Sequence, residues 1–200
     1  MARYEYKGLD LPRTTELLKP LYDYDGVPAE ILQAKAEAGT NKHLMVKYFL
    51  EGCLDYNSLS DEQKGTLGQF KLFQGAEGTM FDLGSAVLEY QMIHEKLLYG
   101  GTPDIIINDQ AIIDIKTSIF NSYLHKNVFP LQTAAYERLW LYDIGEKKGK
   151  YKHYILYLYP DSYRFMQLKN RQAWSMFKYL LDHYWQQQQF NQKIKAWKGQ

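Results

Sequence analysis

The chain has 200 residues, 46% of them hydrophobic and 24% charged, and its 24 basic and 23 acidic side chains leave a formal charge of +1. This composition is typical of a folded, water-soluble protein, and the longest apolar runs, such as 111–113, are too short for a transmembrane helix. A single cysteine, Cys53, excludes an internal disulfide framework and any four-cysteine zinc or iron–sulfur site. We expect Cys53 to be a small packing residue.

The charge is unevenly distributed along the chain. Residues 147–200 carry 11 basic and two acidic side chains, a net charge of +9, so that residues 1–146 carry a net charge of −8. A basic segment beside an acidic body is typical of a phosphate-binding surface next to a carboxylate-rich site, or of lysines that only solvate the last helices. The first six residues lack the apolar segment of a secretory signal. We therefore expect a cytoplasmic protein.

The first part of the chain has helical patterns. We expect a short helix after Pro12, a longer one over 28–50 that could be interrupted at Gly39, and a third within 60–83 that leads into a glycine-rich connection.

The pattern then changes to short β-branched runs. Residues 86–97 are compatible with a strand, and the segment 100–103 (Gly-Gly-Thr-Pro) is expected to interrupt regular structure. The runs 104–107 and 111–116, joined by Asn-Asp-Gln, predict a β-hairpin.

The last part of the chain alternates between the two types. Residues 129–141 have helical spacing, 152–159 and 163–168 predict two more strands, and 171–189 predicts a long helix whose glutamine run, 186–189, would be its frayed end. The resulting order predicts an α/β (α+β) domain with a central mixed β-sheet flanked by helices.

We expect the whole chain to form a single domain. Its parts would be a mainly helical segment over 1–80, a sheet core over 85–168 that carries the chemistry, and a C-terminal helix over 169–200.

The predicted hairpin concentrates groups that can carry chemistry. Asp104 lies at the start of its first strand, and Asp114 lies two residues before Lys116 in its second. Residues two apart in a strand point to the same face, so Asp114 and Lys116 emerge together, and the hairpin brings Asp104 beside them. Two carboxylates and an ammonium are suited to holding a divalent cation and positioning a water. The triplet alone leaves open a surface hairpin with a salt bridge at its rim.

Four segments of the chain, in this order, match a known set of motifs. They are Gly39-Thr40-Asn41-Lys42-His43, Gly101-Thr102-Pro103-Asp104, Ile113-Asp114-Ile115-Lys116-Thr117-Ser118 and Gln132-Thr133-Ala134-Ala135-Tyr136. Together they resemble the PD-(D/E)xK nuclease superfamily, in its RecB-like and phage exonuclease branch. The resemblance spans about residues 11–160, and the phage-encoded members and mitochondrial genome-maintenance exonucleases are the most similar.

The resemblance implies a restriction-endonuclease-like core with extra N-terminal helices and a catalytic site that uses one or two Mg²⁺ or Mn²⁺ ions. It implies His43, Asp104, Asp114 and the carbonyl of Ile115 as metal ligands, and Lys116 as the catalytic lysine beside Asp104 and Asp114. Four other histidines compete with His43 on sequence grounds: His94, His125, His153 and His183. The single cysteine implies a member without an iron–sulfur cluster.

Further residues around these motifs could also take part in the site. Gln132 and Tyr136, one helical turn apart, would support the site or touch the DNA backbone, or would only pack a helix. Thr117 and Ser118 could donate to a phosphate. Glu89 could be an auxiliary carboxylate or a charge on a strand face. A run of lysines could follow phosphates or only solvate a loop: Lys147, Lys148, Lys150 and Lys152.

The resemblance implies a metal-dependent DNA nuclease, with an exonuclease acting on DNA ends or single strands as the leading hypothesis. Its setting would be phage or mobile-element DNA replication, recombination or repair in the cytoplasm of the host, with a helicase, a single-strand-binding protein or a recombination protein as partner. The alternatives are a structure-selective or sequence-specific endonuclease on the same core, and a non-catalytic nucleic-acid-binding accessory protein of recombination.

Overall fold

The computed structural model describes residues 3–23, 26–146, 151–169 and 171–198, and for 194–198 the backbone alone. Lys147, Lys148 and Lys150 of the predicted lysine loop lie outside these residues, so the interpretation of that loop stays open. In the described part of the chain, no helix has the length and apolar character needed to cross a membrane.

Six α-helices and nine β-strands are labelled in chain order. The helices are α1 (Thr14–Leu17), α2 (Ala29–Leu50), α3 (Asp61–Gly75), α4 (Ser122–Asn127), α5 (Phe129–Asp143) and α6 (Ala173–Lys198). The strands are β1 (Glu5–Tyr6), β2 (Leu9–Asp10), β3 (Val87–Leu88), β4 (Met92–His94), β5 (Tyr99–Gly101), β6 (Ile105–Ile107), β7 (Ala111–Lys116), β8 (Lys152–Leu158) and β9 (Tyr163–Gln167).

A five-stranded mixed sheet occupies the centre of the fold, in the order β3-β6-β7-β8-β9. β7 and β8 are parallel, with Ala111 opposite Lys152 and Lys116 opposite Tyr157, and the remaining neighbours are antiparallel. The predicted hairpin is confirmed as β6 and β7, whose connection places Asp109 in a left-handed conformation (φ 57°). A β-hairpin turn commonly requires such a residue, and Asp tolerates it.

Helices cover both faces of this sheet, as predicted. Ile112, Ile155 and Tyr157 belong to a buried cluster shared with α1, α5 and α6. Ile113 and Leu156 belong to a second buried cluster, on the opposite face, which includes residues of α2 and α3. The alternation of strand side chains explains this division, because neighbouring residues in β7 and β8 point to opposite faces. The sheet is therefore buried on both sides, as its run of isoleucines suggests.

Helix α2 is continuous through Gly39. Its N-terminal half is largely exposed, and its buried contacts are those of Met45 and Val46 in the C-terminal half. Helix α6 runs through the glutamine segment to Lys198, so the prediction of a frayed end at 186–189 was wrong. Glutamine has a good helix propensity, and a polar run in an exposed helix does not by itself end it.

The segment 86–97 is not one strand. The chain leaves the central sheet after β3, takes a left-handed conformation at Glu89 (φ 47°), and continues as β4, which pairs with β5 in a separate two-stranded sheet. The expected interruption at Gly100 and Gly101 was also wrong, because both glycines lie in β5. Cys53 is exposed, not packed, because it follows the turn after α2.

The two glycines of β5 are required by close packing. A Cβ on Gly100 would overlap the ring of Tyr4, and a Cβ on Gly101 would lie 2.7 Å from Thr14 Oγ1 and 2.8 Å from carbon atoms of both Leu139 and Tyr136. Gly101 thus lets the segment before Asp104 approach α1 and α5 closely.

We predict that Gly101→Ala lowers the free energy of unfolding by about 1–3 kcal/mol, because an added methyl group overpacks this site. Urea unfolding measures the change. Gly68→Ala is the matched control: Gly68 is an exposed position of α3 where an added methyl group would have no atom within 4 Å, and alanine there should raise the stability by up to about 1 kcal/mol. Equal effects of the two changes would contradict the packing argument.

Candidate active site

Asp114 and Lys116 emerge on the same face of β7, the face that carries Ile112 and lies under α5. Lys116 Nζ lies 2.6 Å from Asp114 Oδ2, and the two side chains are 18% and 3% exposed. A salt bridge at the rim of a surface hairpin would be far more exposed, so that alternative does not describe this pair. The ammonium also lies 4.8 Å from the centre of the Phe129 ring.

Gln132 on α5 holds this pair in place. Its Nε2 donates to Asp114 Oδ1 at 3.0 Å, and its Oε1 accepts from Lys116 Nζ at 3.1 Å. The same Nε2 donates to the hydroxyl of Tyr136 at 3.0 Å, one helical turn further on. Gln132 and Tyr136 are each 3% exposed. Their burial and their bonds favour support of the site over contact with the DNA backbone.

Asp104 connects the hairpin to α2. It lies directly before β6 and is 7% exposed. Its Oδ2 accepts a hydrogen bond from the backbone N–H of Ile115 at 2.5 Å, and its Oδ1 lies 3.0 Å from His43 Nδ1. One carboxylate therefore ties the second strand of the hairpin to a helix that is 61 residues away in sequence.

Glu89 completes a group of possible metal ligands. The ligand atoms of His43, Glu89 and Asp104 all lie within 4.8 Å of one another, and His43 Nδ1 lies 3.8 Å from Glu89 Oε1. Within the described ranges, this is the group of three or more His, Cys, Asp or Glu side chains that could hold a metal ion. The interpretation of Glu89 as an auxiliary carboxylate is thus the one that the geometry supports.

The conformation of Glu89 explains why sequence patterns rank it low. Residue 89 directly follows β3, and the expected single strand over 86–97 would place it on a strand face. In the structure its φ of 47° turns the chain, and its N–H donates to the carbonyl of Asp104 at 3.0 Å. A non-glycine residue in this region is uncommon, and such residues concentrate at functional sites.

The other four histidines have different surroundings. His94 stacks on Tyr142, His125 Nδ1 lies 3.2 Å from the hydroxyl of Tyr157, His153 Nε2 lies 3.1 Å from Glu137 Oε2, and His183 is exposed. The structure therefore separates His43 from its rivals, which sequence alone does not.

Thr117 and Ser118 follow β7 but do not enter the network of Gln132. Thr117 is half-buried, and its Oγ1 lies 3.4 Å from the position of a Cβ on Gly39 of α2. Ser118 is exposed. Gly39 thus lets α2 pass close to the end of β7, and the role of the two hydroxyls toward a phosphate stays a prediction.

The acidic groups of the site differ in how readily they ionise. Burial, followed by the neighbouring Asp104 carboxylate, raises the pKa of Glu89 to about 8. Burial also raises the pKa of Asp114 to about 6, although Lys116 acts in the opposite direction. For Asp104, burial is outweighed by the imidazole of His43, and its pKa is lowered.

The basic groups have raised pKa values. Burial alone would lower the pKa of His43, but Asp104 outweighs it and the pKa is raised. In the same way, Asp114 outweighs burial at Lys116 and raises its pKa. Glu89 is half-buried beside the Asp104 carboxylate, and its raised pKa indicates that the nearby positive charge does not compensate for both. An imidazole nitrogen and two carboxylates that converge there fit a divalent cation.

Asp114 lies outside this group of three, because one of its oxygens faces Lys116 and the other faces Gln132. Asp114 and the carbonyl of Ile115 as metal ligands therefore stay predictions.

The fold is similar to that of solved proteins. The chain matches the crystal structure of a protein described as "Putative exonuclease" from Eubacterium rectale with a TM-score of 0.51 and 16% sequence identity, over 70% of this chain and 63% of that one. This chain thus spans less than two thirds of the length of that neighbour. A second structure, that of SSO0001, matches with a TM-score of 0.45 and 17% identity, over 89% of this chain and 76% of that one.

No family model and no curated protein matches the chain. At 16% identity the similarity to the first structure establishes the fold alone. The fold is a nuclease-like α+β fold, with a mixed central sheet flanked by helices as predicted.

We predict that the metal-free protein loses stability as the pH rises from about 5 to 8, and that Glu89→Gln flattens this loss. In the folded state Glu89 keeps its proton up to a pKa of about 8, whereas its ordinary value is 4.5. The folded state thus binds more protons in this window, so that raising the pH favours unfolding. Urea unfolding in EDTA across this pH range measures the effect, with Glu95→Gln on the exposed β4–β5 turn as the control.

The same two variants, Glu89→Gln and Glu95→Gln, test whether Glu89 helps to bind a metal ion. At pH 8, Mn²⁺ should raise the melting temperature of the wild type and of Glu95→Gln by the same amount, because a ligand of the folded state stabilises it. The shift for Glu89→Gln should be smaller, since one carboxylate ligand has been lost. Identical shifts for all three proteins would remove Glu89 from the proposed ligand group.

Proposed function

We propose that this protein is a metal-dependent DNA nuclease of the PD-(D/E)xK type that hydrolyses phosphodiester bonds. The observation that carries the proposal is the side-by-side arrangement of two groups. The possible metal ligands His43, Glu89 and Asp104 are joined through the Asp104–Ile115 hydrogen bond to the strand that bears Asp114 and Lys116. The four ordered sequence motifs and the nuclease-like fold support it.

The residues of the site would divide the work of hydrolysis. A divalent cation, when bound, supplies Lewis-acid stabilisation of a phosphoryl oxygen and lowers the pKa of a bound water. Lys116, fixed by Asp114 and Gln132, would present its remaining N–H donor to a phosphate oxygen or to the attacking water. Because its pKa is raised, Lys116 stays protonated at neutral pH and acts as a charge, not as a base.

Asp104, Glu89 and His43 would hold the cation, and Gln132 and Tyr136 would keep the Asp114–Lys116 pair in one geometry. Pre-organisation of this kind is what makes a charged group effective in a transition state. Loss of a supporting residue should therefore lower the rate less than loss of a ligand.

The substrate we propose is DNA, attacked from an end or as a single strand. The support for an exonuclease is the resemblance of the four motifs to the RecB-like and phage exonuclease branch, together with the fold shared with the E. rectale protein. The setting that this branch suggests is DNA replication, recombination or repair of a phage or mobile element.

We predict that purified protein cleaves end-labelled linear DNA with Mg²⁺ or Mn²⁺ and not in EDTA. Asp104→Asn and Lys116→Met should each lower the rate by at least about 100-fold, because each removes charge that acts on the phosphate or its metal. Asp109→Asn is the matched control: it lies in the same hairpin, at its turn, outside the site. Folding of each variant is checked by its melting temperature. Absence of metal-dependent cleavage by the wild type would overturn the nuclease proposal.

We further predict that closed circular DNA, single- or double-stranded, survives under conditions in which the linear form of the same sequence is degraded. An exonuclease needs an end, so one nick or one double-strand break should make the circle a substrate. Gel analysis of circular, nicked and linear forms measures this. Cleavage of intact circles would assign the same site to an endonuclease.

A further inference from the structure

A basic cavity lies beside the start of α6. It has a volume of about 470 Å³ and is lined in part by Lys152, Lys169 and Arg171, all three exposed. We call these three residues and their cavity the basic pocket. Among the ion pairs of the described residues, none involves any of the three. Three cations without acidic partners in that part of the chain, around one concave surface, favour a polyanionic ligand.

The basic pocket is remote from the candidate active site. Lys152 lies opposite Ala111 at the start of β7, whereas Lys116 ends that strand. The five-residue separation corresponds to about 16 Å along the sheet. A strand of nucleic acid with stacked bases has one phosphate per about 3.4 Å, so about five nucleotides would span this distance.

An apolar groove has lining residues that are adjacent in sequence to both regions. It has a volume of about 400 Å³ and is lined by residues that include Leu21, Leu131, Met176 and Tyr179. Tyr179 is 72% exposed and Met176 is 45% exposed. We call this the α6 groove.

Two residues that line the α6 groove are next in sequence to residues of the basic pocket and of the active site. Gln172 lines the groove and directly follows Arg171 of the basic pocket. The groove is also lined by Leu131, and the next residue of α5, Gln132, bonds both Asp114 and Lys116. Proteins hold single-stranded nucleic acid with exposed aromatic rings, which stack on its bases, together with cations, which neutralise its backbone.

We propose that a single nucleic-acid strand runs from the metal centre along the α6 groove, stacks a base on Tyr179, and places backbone phosphates in the basic pocket. This strand path rests on the proposed nuclease function and names the substrate surface of the same site. Duplex DNA does not fit this role, since its bases are already stacked and cannot lie on Tyr179. The path also makes a strand of about five or more nucleotides the substrate that engages the whole surface.

The test is the affinity of a fluorescent 15-nucleotide single strand, measured by anisotropy in EDTA over a range of salt concentrations. Replacing Lys152, Lys169 and Arg171 together by glutamine should weaken binding at least tenfold at low salt. It should also reduce the slope of log affinity against log salt by about 2, because each phosphate contact on a single strand contributes about 0.7.

A second triple variant controls for net charge. Lys7, Lys64 and Lys96 are exposed lysines in other parts of the fold, and their joint replacement by glutamine removes the same charge. This control should leave the slope within error of the wild type. Equal losses for the two triple variants, or no loss for the first, would overturn the strand path.

The aromatic part of the path has its own pair of variants. Tyr179→Ala should weaken binding at least about fivefold, which is the effect of losing one stacked base. Tyr56 is the control, a tyrosine between α2 and α3 that is 49% exposed. Tyr56→Ala should leave the affinity unchanged. If Tyr179→Ala changed the oligomeric state in sedimentation and left DNA affinity intact, the groove would be an interface between copies of the chain. That outcome would also overturn the proposal.

Cleavage of a dinucleotide and of the 15-nucleotide strand separates this proposal from the nuclease function. The ratio of the two rates, long over short, should fall for the basic-pocket variant and stay at the wild-type value for the control triple. If the wild type cleaves neither substrate while the binding differences persist, the proposed function fails and the strand path stands. If the wild type cleaves both and the two triple variants behave alike, the path fails and the function stands.

Discussion

The site depends on the carboxylate of Asp104. One oxygen accepts from the backbone N–H of Ile115 and the other faces His43, while the carbonyl of the same residue accepts from the N–H of Glu89. Through these bonds a single buried residue sets the relative positions of β7, α2 and the end of β3. Asp114 and Lys116 lie on β7. Asp104 therefore also fixes the groups proposed to hold a cation relative to those proposed to act on the phosphate.

This arrangement brings three carboxylates together at the cost of electrostatic repulsion. His43 and Lys116 offset part of it. Burial and, after it, the neighbouring carboxylates raise the pKa of Glu89 and of Asp114. A divalent cation bound there would relieve the repulsion between the carboxylates. Asp114 and Lys116 are instead paired with each other, and both bond Gln132. The two groups therefore differ in composition, since the first consists of an imidazole and two carboxylates and the second is an ion pair held by an amide.

Sequence patterns predicted the hairpin well and Glu89 poorly, for different physical reasons. The side-chain period of two and the polar turn define β6 and β7, so Asp114 and Lys116 share a face regardless of the rest of the fold. The position of Glu89 instead depends on a left-handed residue and on where the chain leaves the sheet, and neither has a local signature. The same limit applies to Gly101, which sits in a strand because of what packs on it, and to Cys53, whose exposure follows from a turn.

Helix α2 is buried unevenly along its length. Its two fully buried residues are Met45 and Val46, about 24 Å from its first residue and about 3 Å from His43 along the axis. Residues of α2 before Gly39 are largely exposed, whereas His43 lies beside the buried part of the helix. The position of His43 thus depends on the buried C-terminal half of α2 and on Asp104, and not on the exposed half.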